Sequence, residues 1–303
     1  MSQMNTRIDL VDHQRYVEKT FSKKSIEKVI VRDLTSDPDI AQLISDAADA
    51  VDEWRQGDYF PKKNYRLSQL AGLDFDDVVL SILVHTCQIT EPKPFTEVFG
   101  QVAGVLRMDD KVDGIKTAAE IMAVITEFGF YDLIQEEEYG QWYLVNNLQL
   151  EETTVNHINR TKYLPPMVVS PNEVMSNYDN ALLTEKSSMI LGKGTYHDGD
   201  ICLDSLNTFN QVPLCLNQRL LTQLSETPKN PEKMSHDTKR QWNTFVKESY
   251  GIYRELIQLG NRFWLTHKYD KRGRTYSQGY HVNTQGNKFR KAIIEFADKE
   301  VIE

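Results

Sequence analysis

The residues best suited to do chemistry are clustered near the end of the sequence, at positions 268–291 (KYDKRGRTYSQGYHVNTQGNKFRK). In Asp270-Lys271-Arg272-Gly273-Arg274 an acid stands four residues before an arginine, with a glycine between them. An Asp–Arg pair at that spacing can close a turn and hold the guanidinium in a fixed direction. An oriented, planar guanidinium suits phosphate, because its fork can bond two oxygens. Gly273 lets the backbone approach a nucleic-acid strand closely. Tyr276 offers a ring for stacking on a base or sugar. A polar turn, Asn283-Thr284-Gln285-Gly286-Asn287, comes next, and Lys288, Arg290 and Lys291 follow it. Such contacts grip a backbone without reading its sequence. The same residues also fit a purely structural Asp–Arg pair that closes a turn.

Other chemical patterns are weaker. His197-Asp198-Gly199-Asp200 offers metal-ligand types, but a metal needs three or four converging ligands, and an Asp-Gly turn explains the residues equally well. Residues 191–195 (LGKGT) lack the spacing of a phosphate-binding loop. Glu136-Glu137-Glu138 reads as a solvated face. There is no GxSxG, no HExxH and no evident Cys–His nucleophile pair, so no self-contained active site is expected.

Charge sharpens the first pattern. From 262 to 291 there are eight Lys or Arg (262, 268, 271, 272, 274, 288, 290 and 291) against a single acid, Asp270. The whole chain of 303 residues carries a net charge of -9, so the rest is markedly acidic. One basic segment on an acidic body points to a local polyanion contact or to a solvated basic loop. With 40% hydrophobic and 26% charged residues, 15 Gly and 10 Pro, the composition is that of an ordinary folded protein. No apolar stretch approaches the roughly 20 residues of a membrane span, and the first residues lack the apolar region of a secretory signal. Cys87, Cys202 and Cys215 are an odd number without CxxC spacing, so a reducing cytoplasm is expected rather than a disulfide framework.

The elements that must position this segment are mostly helical. Residues 1–60 are polar, with one helix-like stretch at 40–54. Helices are expected at 76–86 and at 117–128, the latter ending at Gly129, and a short strand at 141–145. Residues 162–171 (KYLPPMVVSP) must be extended, because prolines exclude a helix interior. Residues 177–200 read as loop, 205–224 as helix, and 225–237 as a polar linker. A long helix then carries Trp242, Phe245, Val246, Ser249, Tyr253, Leu256, Ile257 and Phe263 on one face and runs into the basic segment. The reading is a mostly α fold with short β segments (α+β). Its expected divisions are 1–74, unassigned; 75–160, a helical domain; and 161–303, ending in the basic element.

The basic segment resembles a signature of the phage-type single-subunit RNA polymerases, which include the mitochondrial enzymes. In that family a DxxGR element is followed by an aromatic, an N-x-x-G-x turn and a lysine in an amphipathic helix. Here the residues are Asp270 to Arg274, Tyr276, Asn283 to Asn287 and Lys291, with IIEFADKE expected to continue the helix. Upstream, Leu206-Asn207, Gln211, Pro213, Leu216-Asn217 and Leu220-Leu221 are similar to the family's LN…Q…W-x-IN…VL helix, with Leu214 or Cys215 where the tryptophan stands. Residues 164–171 (LPPMVVSP) resemble the proline-rich strand before the family's Gly-rich intercalating region.

The resemblance implies the N-terminal domain of such a polymerase plus the start of the palm-side element. It implies that Asp270, Arg272, Gly273, Arg274, Tyr276 and Lys291 lie along template DNA and the RNA–DNA hybrid. The family's metal-binding aspartates, NTP-binding lysine and selective tyrosine lie downstream, and none is identifiable here. The chain most resembles the smaller subunit of the split, two-subunit enzymes of N-four-like podoviruses (enquatroviruses). Met1 and the polar C-terminus favour a natural split over a fragment. On this expectation the chain is a noncatalytic subunit, inactive alone, working in the host cytoplasm during phage infection with no membrane contact. A larger catalytic subunit would hold Mg²⁺ and supply palm, fingers and thumb, and Ile293, Ile294, Phe296 and Val301 would help to bury the junction. A promoter-opening or single-stranded-DNA-binding factor is a further expected partner, because the acidic body offers little pull on duplex DNA. The alternatives are a stand-alone nucleic-acid-binding transcription regulator and a structural protein whose basic loop only caps a helix.

Overall fold

The computed structural model describes residues 9–89, 91–136, 140–184, 187–192 and 195–300. They fall into two units, one formed by the chain up to Ser25 together with Asn159 onward, the other by Ile26–Ile158. The fold is α+β, with helices joined by short strands in small sheets. Among the described residues no helix is long and apolar enough to cross a membrane.

The polar N-terminal stretch holds more helix than its composition advertises. Helix α1 (Leu10–Thr20) is capped by Asp9, whose carboxylate accepts from the N–H groups of Val11 and Asp12. Two of its polar side chains, Gln14 and Glu18, are buried. Gln14 Oε1 accepts from the Val168 N–H at 3.0 Å. Glu18 accepts from the N–H groups of Leu183 and Thr184 at 3.1 and 2.8 Å, and from the Thr184 hydroxyl at 2.8 Å. Side chains that look solvent-facing in sequence therefore fasten α1 to loops of its own unit.

The Ile26–Ile158 unit contains most of α2 (Lys23–Ser36), then α3 (Pro38–Arg55), α4 (Pro61–Ser68) and α5 (Phe75–Thr86). Helix α3 covers the stretch read at 40–54. Asp37 caps it, Pro38 occupies its first turn, and Ile44, Ala47, Ala48 and Val51 bury one face. Helix α5 covers 76–86 and is capped by Asp74. Strand β1 (Lys93–Pro94), α6 (Phe95–Val102) and α7 (Lys111–Ile125) follow. Helix α7 starts six residues before the expected 117 because Asp110 caps it there; a 3₁₀ turn at Thr126–Phe128 then ends at Gly129, with φ +74°. Strands β2 (Tyr131–Gln135) and β3 (Trp142–Asn146) form an antiparallel sheet in the order β1-β3-β2. Helix α3 packs on α5 and α7 around one core. The buried Arg66 is satisfied by Thr117 Oγ1 and Glu120 Oε1, each at 2.7 Å. Residues on both sides of 74/75 share this core, so no boundary between units falls there. Glu136 is exposed, while Glu137 and Glu138 lie outside the described residues. Helix α8 (Glu152–Thr161) follows β3.

The remaining elements are α9 (Leu203–Asn210), β4 (Leu214–Leu216), α10 (Gln218–Gln223), α11 (His236–Gln258), β5 (His267–Tyr269), β6 (Thr275–Ser277), α12 (Lys288–Ala292) and β7 (Ile294–Phe296). Three expectations are corrected here. The helix at 205–224 is two helices with a strand between them. Pro213 cannot donate to a helix and disfavours helical geometry at Val212, and β4 instead pairs antiparallel with β7. The long helix stops at Gln258, short of Phe263. Gly260 and Asn261 have positive φ (104° and 53°), and the Asn261 amide bonds both the N–H and the carbonyl of Leu216. Phe263 then bridges to Leu214 and sits at 0% exposure in the core. Third, the sequence after Lys291 turns into β7 instead of prolonging a helix.

Candidate nucleic-acid interface

Strands β5 and β6 form an antiparallel hairpin, with Asp270–Arg274 as its connection. The turn closes through Gly273 N–H to the Asp270 carbonyl at 3.0 Å and Asp270 N–H to the Arg274 carbonyl at 2.9 Å. Gly273 has φ +78°, in the left-handed region that such a loop requires. An alanine Cβ there would meet nothing within 4 Å. Gly273→Ala should therefore cost about 1 kcal/mol of stability through backbone strain alone. A urea titration should show a lower midpoint at unchanged slope; an unchanged midpoint would deny the strain.

Asp270 organises the turn. Its Oδ1 accepts from the N–H groups of Arg272 and Arg274, both at 2.9 Å. Its Oδ2 takes the Nε and Nη2 of Arg274, each at 2.8 Å, and the Tyr276 hydroxyl at 3.4 Å. Arg272 Nε lies 3.5 Å from the same oxygen. The Arg274 N–H, then its guanidinium, then the Tyr276 hydroxyl hold the Asp270 pKa below its ordinary value, so the carboxylate stays charged at neutral pH. The Arg274 side chain is 53% exposed and its guanidinium lies 5.7 Å from the centre of the Tyr276 ring. The hairpin thus presents an oriented cation, a ring and a second, more exposed arginine at one place.

The hairpin is braced from outside. Tyr269 exchanges backbone hydrogen bonds with Met189 and Leu191, and its hydroxyl donates to the Cys202 carbonyl at 2.8 Å. The N–H of His267 donates to Asn210 Oδ1 at 2.8 Å. The turn at 283–287 has a structural task. Gln285 bonds Ser277 N–H and the Thr275 carbonyl at 3.0 Å each, clamping β6, and Asn287 caps α12. Lys291 lies on that helix and is exposed, on an element separate from the hairpin turn.

Two of the basic residues counted in the segment are engaged elsewhere. Arg290 Nε meets Glu226 at 3.0 Å, its Nη1 donates to the Tyr280 carbonyl at 3.2 Å, and its guanidinium covers the Phe245 ring at 4.3 Å. Arg262 makes a two-pronged pair with Asp298, at 2.6 and 3.0 Å. The contact expected of Arg290 with a nucleic-acid backbone is therefore replaced by a structural one. The local surplus of charge resides at Lys271, Arg272, Arg274, Lys288 and Lys291, all exposed.

Sequence reading missed the groove beside the turn. A cavity of about 800 Å³ is lined by Asp270, Lys271 and Gly273 on one side and by Tyr196, His197 and Cys202 on the other. Residues 196–202 reach it because Ile190 bridges to Tyr269, a contact that no local spacing announces. His197-Asp198-Gly199-Asp200 is loop, with the Asn177 amide donating to the carbonyls of His197 and Gly199 at 2.7 and 2.8 Å and the Tyr178 hydroxyl donating to Asp198. Among the described residues no three His, Cys, Asp or Glu side chains converge as a metal site. Of residues 191–195, Lys193 and Gly194 lie outside the described residues.

The apolar residues expected at a subunit junction separate. Ile293 is fully buried in the chain's own core, so it has no surface to offer, which corrects its assignment. Ile294 packs half-buried on the same core, Phe296 is 68% exposed, and Val301 lies outside the described residues. No protein-family model matches the chain, and no curated protein matches it either.

Proposed function

We propose that this chain is the noncatalytic subunit of a heterodimeric phage DNA-dependent RNA polymerase, and that its β5–β6 hairpin contacts template DNA and the RNA–DNA hybrid. The observation that carries the proposal is the Asp270 clamp, which aims a half-exposed Arg274 outward beside Tyr276. Asp270 engages the Nε and Nη2 of Arg274, one edge of the guanidinium, and the Nη1 side of the fork is left for phosphate oxygens. In this reading the Mg²⁺ ions would be held by the partner and would supply the Lewis-acid chemistry of nucleotidyl transfer. This chain binds and orients the strand.

The test is recovery of the tagged full chain from phage-infected cells, with the eluate assayed for RNA synthesis on single-stranded DNA. The expected result is a larger co-purifying protein and Mg²⁺-dependent synthesis. Recovery of the chain alone, inactive but bound to nucleic acid, would overturn the polymerase reading in favour of a stand-alone regulator. One observation supports that second reading: Ile293 and β7 are completed by this chain's own core and sheet, as a protein acting alone requires.

A further inference from the structure

At the other end of the hairpin, where its strands are joined to the rest of their unit, lies a second groove of about 440 Å³. The strands are three residues long, so this groove begins about 10 Å from the turn. Tyr163, Trp264 and Tyr280 line it. The Tyr163 and Tyr280 rings stack with centres 3.6 Å apart and planes 12° apart, and Tyr280 is 42% exposed. Lys162 is exposed at the rim, with Nζ 5.5 Å from the Tyr163 ring centre. The described lining residues include Lys162 and Lys268 and no acid. Lys268 builds the wall by donating to Ser187 Oγ and the Ser188 carbonyl.

Ser277, at the end of β6, also lines the groove. It is 6% exposed, and its buried hydroxyl has no hydrogen-bond partner. A buried hydroxyl without a partner carries a desolvation cost that an occupant with an acceptor oxygen would relieve. Flat rings, a rim cation and a spare donor are what single-stranded nucleic acid asks of its site: stacking for the base, charge and a hydrogen bond for the phosphate. Lys162 has an acidic neighbour in Glu248, which lies outside the groove lining; a neutral proline-rich peptide would use the rings and leave the hydroxyl without a counterpart.

We propose that this groove is a second binding site for single-stranded nucleic acid, in which a base lies against the Tyr163–Tyr280 and Trp264 surface and the adjoining phosphate meets Lys162 and the Ser277 hydroxyl. The site requires no polymerase partner and is distinct from the Asp270–Arg274 turn.

The full chain is titrated with fluorescein-labelled dT and rU 12-mers and followed by anisotropy. The tighter of the two identifies the strand type. Tyr280→Ala should weaken binding by about fivefold or more, and Lys162→Ala should reduce the magnitude of the salt slope by about 0.7. Ser277→Ala, a small change that leaves no cavity and relieves the cost of the partnerless hydroxyl in the free chain, should weaken binding while the melting temperature holds or rises, so a Tyr280 variant that failed to fold would not decide the matter. Photocrosslinking with a 5-iodouracil oligonucleotide should map to Tyr163, Trp264 or Tyr280. Unchanged affinity in the Lys162 and Ser277 variants would overturn the inference. So would free TMP competing as well as the 12-mer. Crosslinks confined to Tyr276 or Tyr196 would overturn it while leaving the hairpin-turn contact standing.

Discussion

Glu226→Ala should destabilise the protein by about 3 kcal/mol or more, the range expected when one partner of a buried ion pair is removed. The Glu226 side chain is 1% exposed and that of Arg290 is 19% exposed. Glu226 Oε1 accepts from Arg290 Nε at 3.0 Å and from the Asn287 amide. Truncation leaves a guanidinium between Phe245 and the Tyr280 carbonyl with its charge uncompensated, and strips Asn287 of an acceptor at the cap of α12. Two controls separate charge from packing. Glu226→Gln retains an acceptor and should lose less. The double variant Glu226→Leu/Arg290→Met removes both charges and should regain much of the loss, because a well-packed apolar pair is often as stable as a buried ionic one. Urea unfolding monitored by circular dichroism measures all three. A loss under 1 kcal/mol for Glu226→Ala would mean that the pair is solvated, and Arg290 would return to the residues available for nucleic acid.

That pair also marks where sequence reading stops. Local patterns carried the helices well. The apolar spacing at 40–54 is the buried face of α3, and the acids before 78 are the cap and first turn of α5. The hairpin turn was legible for the same reason. Asp270, Gly273 and Arg274 fall within one five-residue stretch, and the chemistry that closes the turn is contained within it. What failed was long-range. Glu226 sits in a stretch that reads as polar linker, yet it is matched to Arg290, 64 residues away. Residues 205–224 are apolar enough for a helix, but the pairing of Leu214–Leu216 with Ile294–Phe296, added to Pro213, outweighs helical propensity. Gln14 and Glu18 look like the solvated side of a helix and are buried because loops more than 150 residues away supply their hydrogen-bond donors. The groove beside the turn depends on Ile190 reaching Tyr269, and periodicity within either segment is silent about that contact.

If the chain is the polymerase subunit proposed above, Arg274→Ala should lower RNA extension by the assembled enzyme about tenfold or more, the scale of losing a charge-assisted hydrogen bond to phosphate, while the chain still co-purifies with its partner. The geometry sets the expectation. Asp270 Oδ2 holds Nε and Nη2, and the Nη1 side of the fork points away from that contact. A strand phosphate meeting it would find a donor already oriented, so little side-chain entropy is lost on binding. The contact is to a phosphate, so the loss should be uniform across template sequences and the salt dependence of hybrid retention should weaken by about one ion. Arg274→Lys should restore the salt dependence but only part of the extension, because a point charge lacks the fork. Asp270→Asn is the sharper variant. Its Oδ1 can still accept from the Arg272 and Arg274 N–H groups, so the turn should survive, but an amide NH₂ in place of Oδ2 cannot accept the guanidinium. Arg274 would keep its charge and lose its direction. Extension should then fall between wild type and Arg274→Ala. If Asp270→Asn extends as well as wild type while Arg274→Ala does not, Arg274 acts as a mobile charge and Asp270 serves only the turn. If Arg274→Ala extends normally on primed templates, the hairpin is not the contact with the hybrid, and the ion pair at its tip does no more than close a loop.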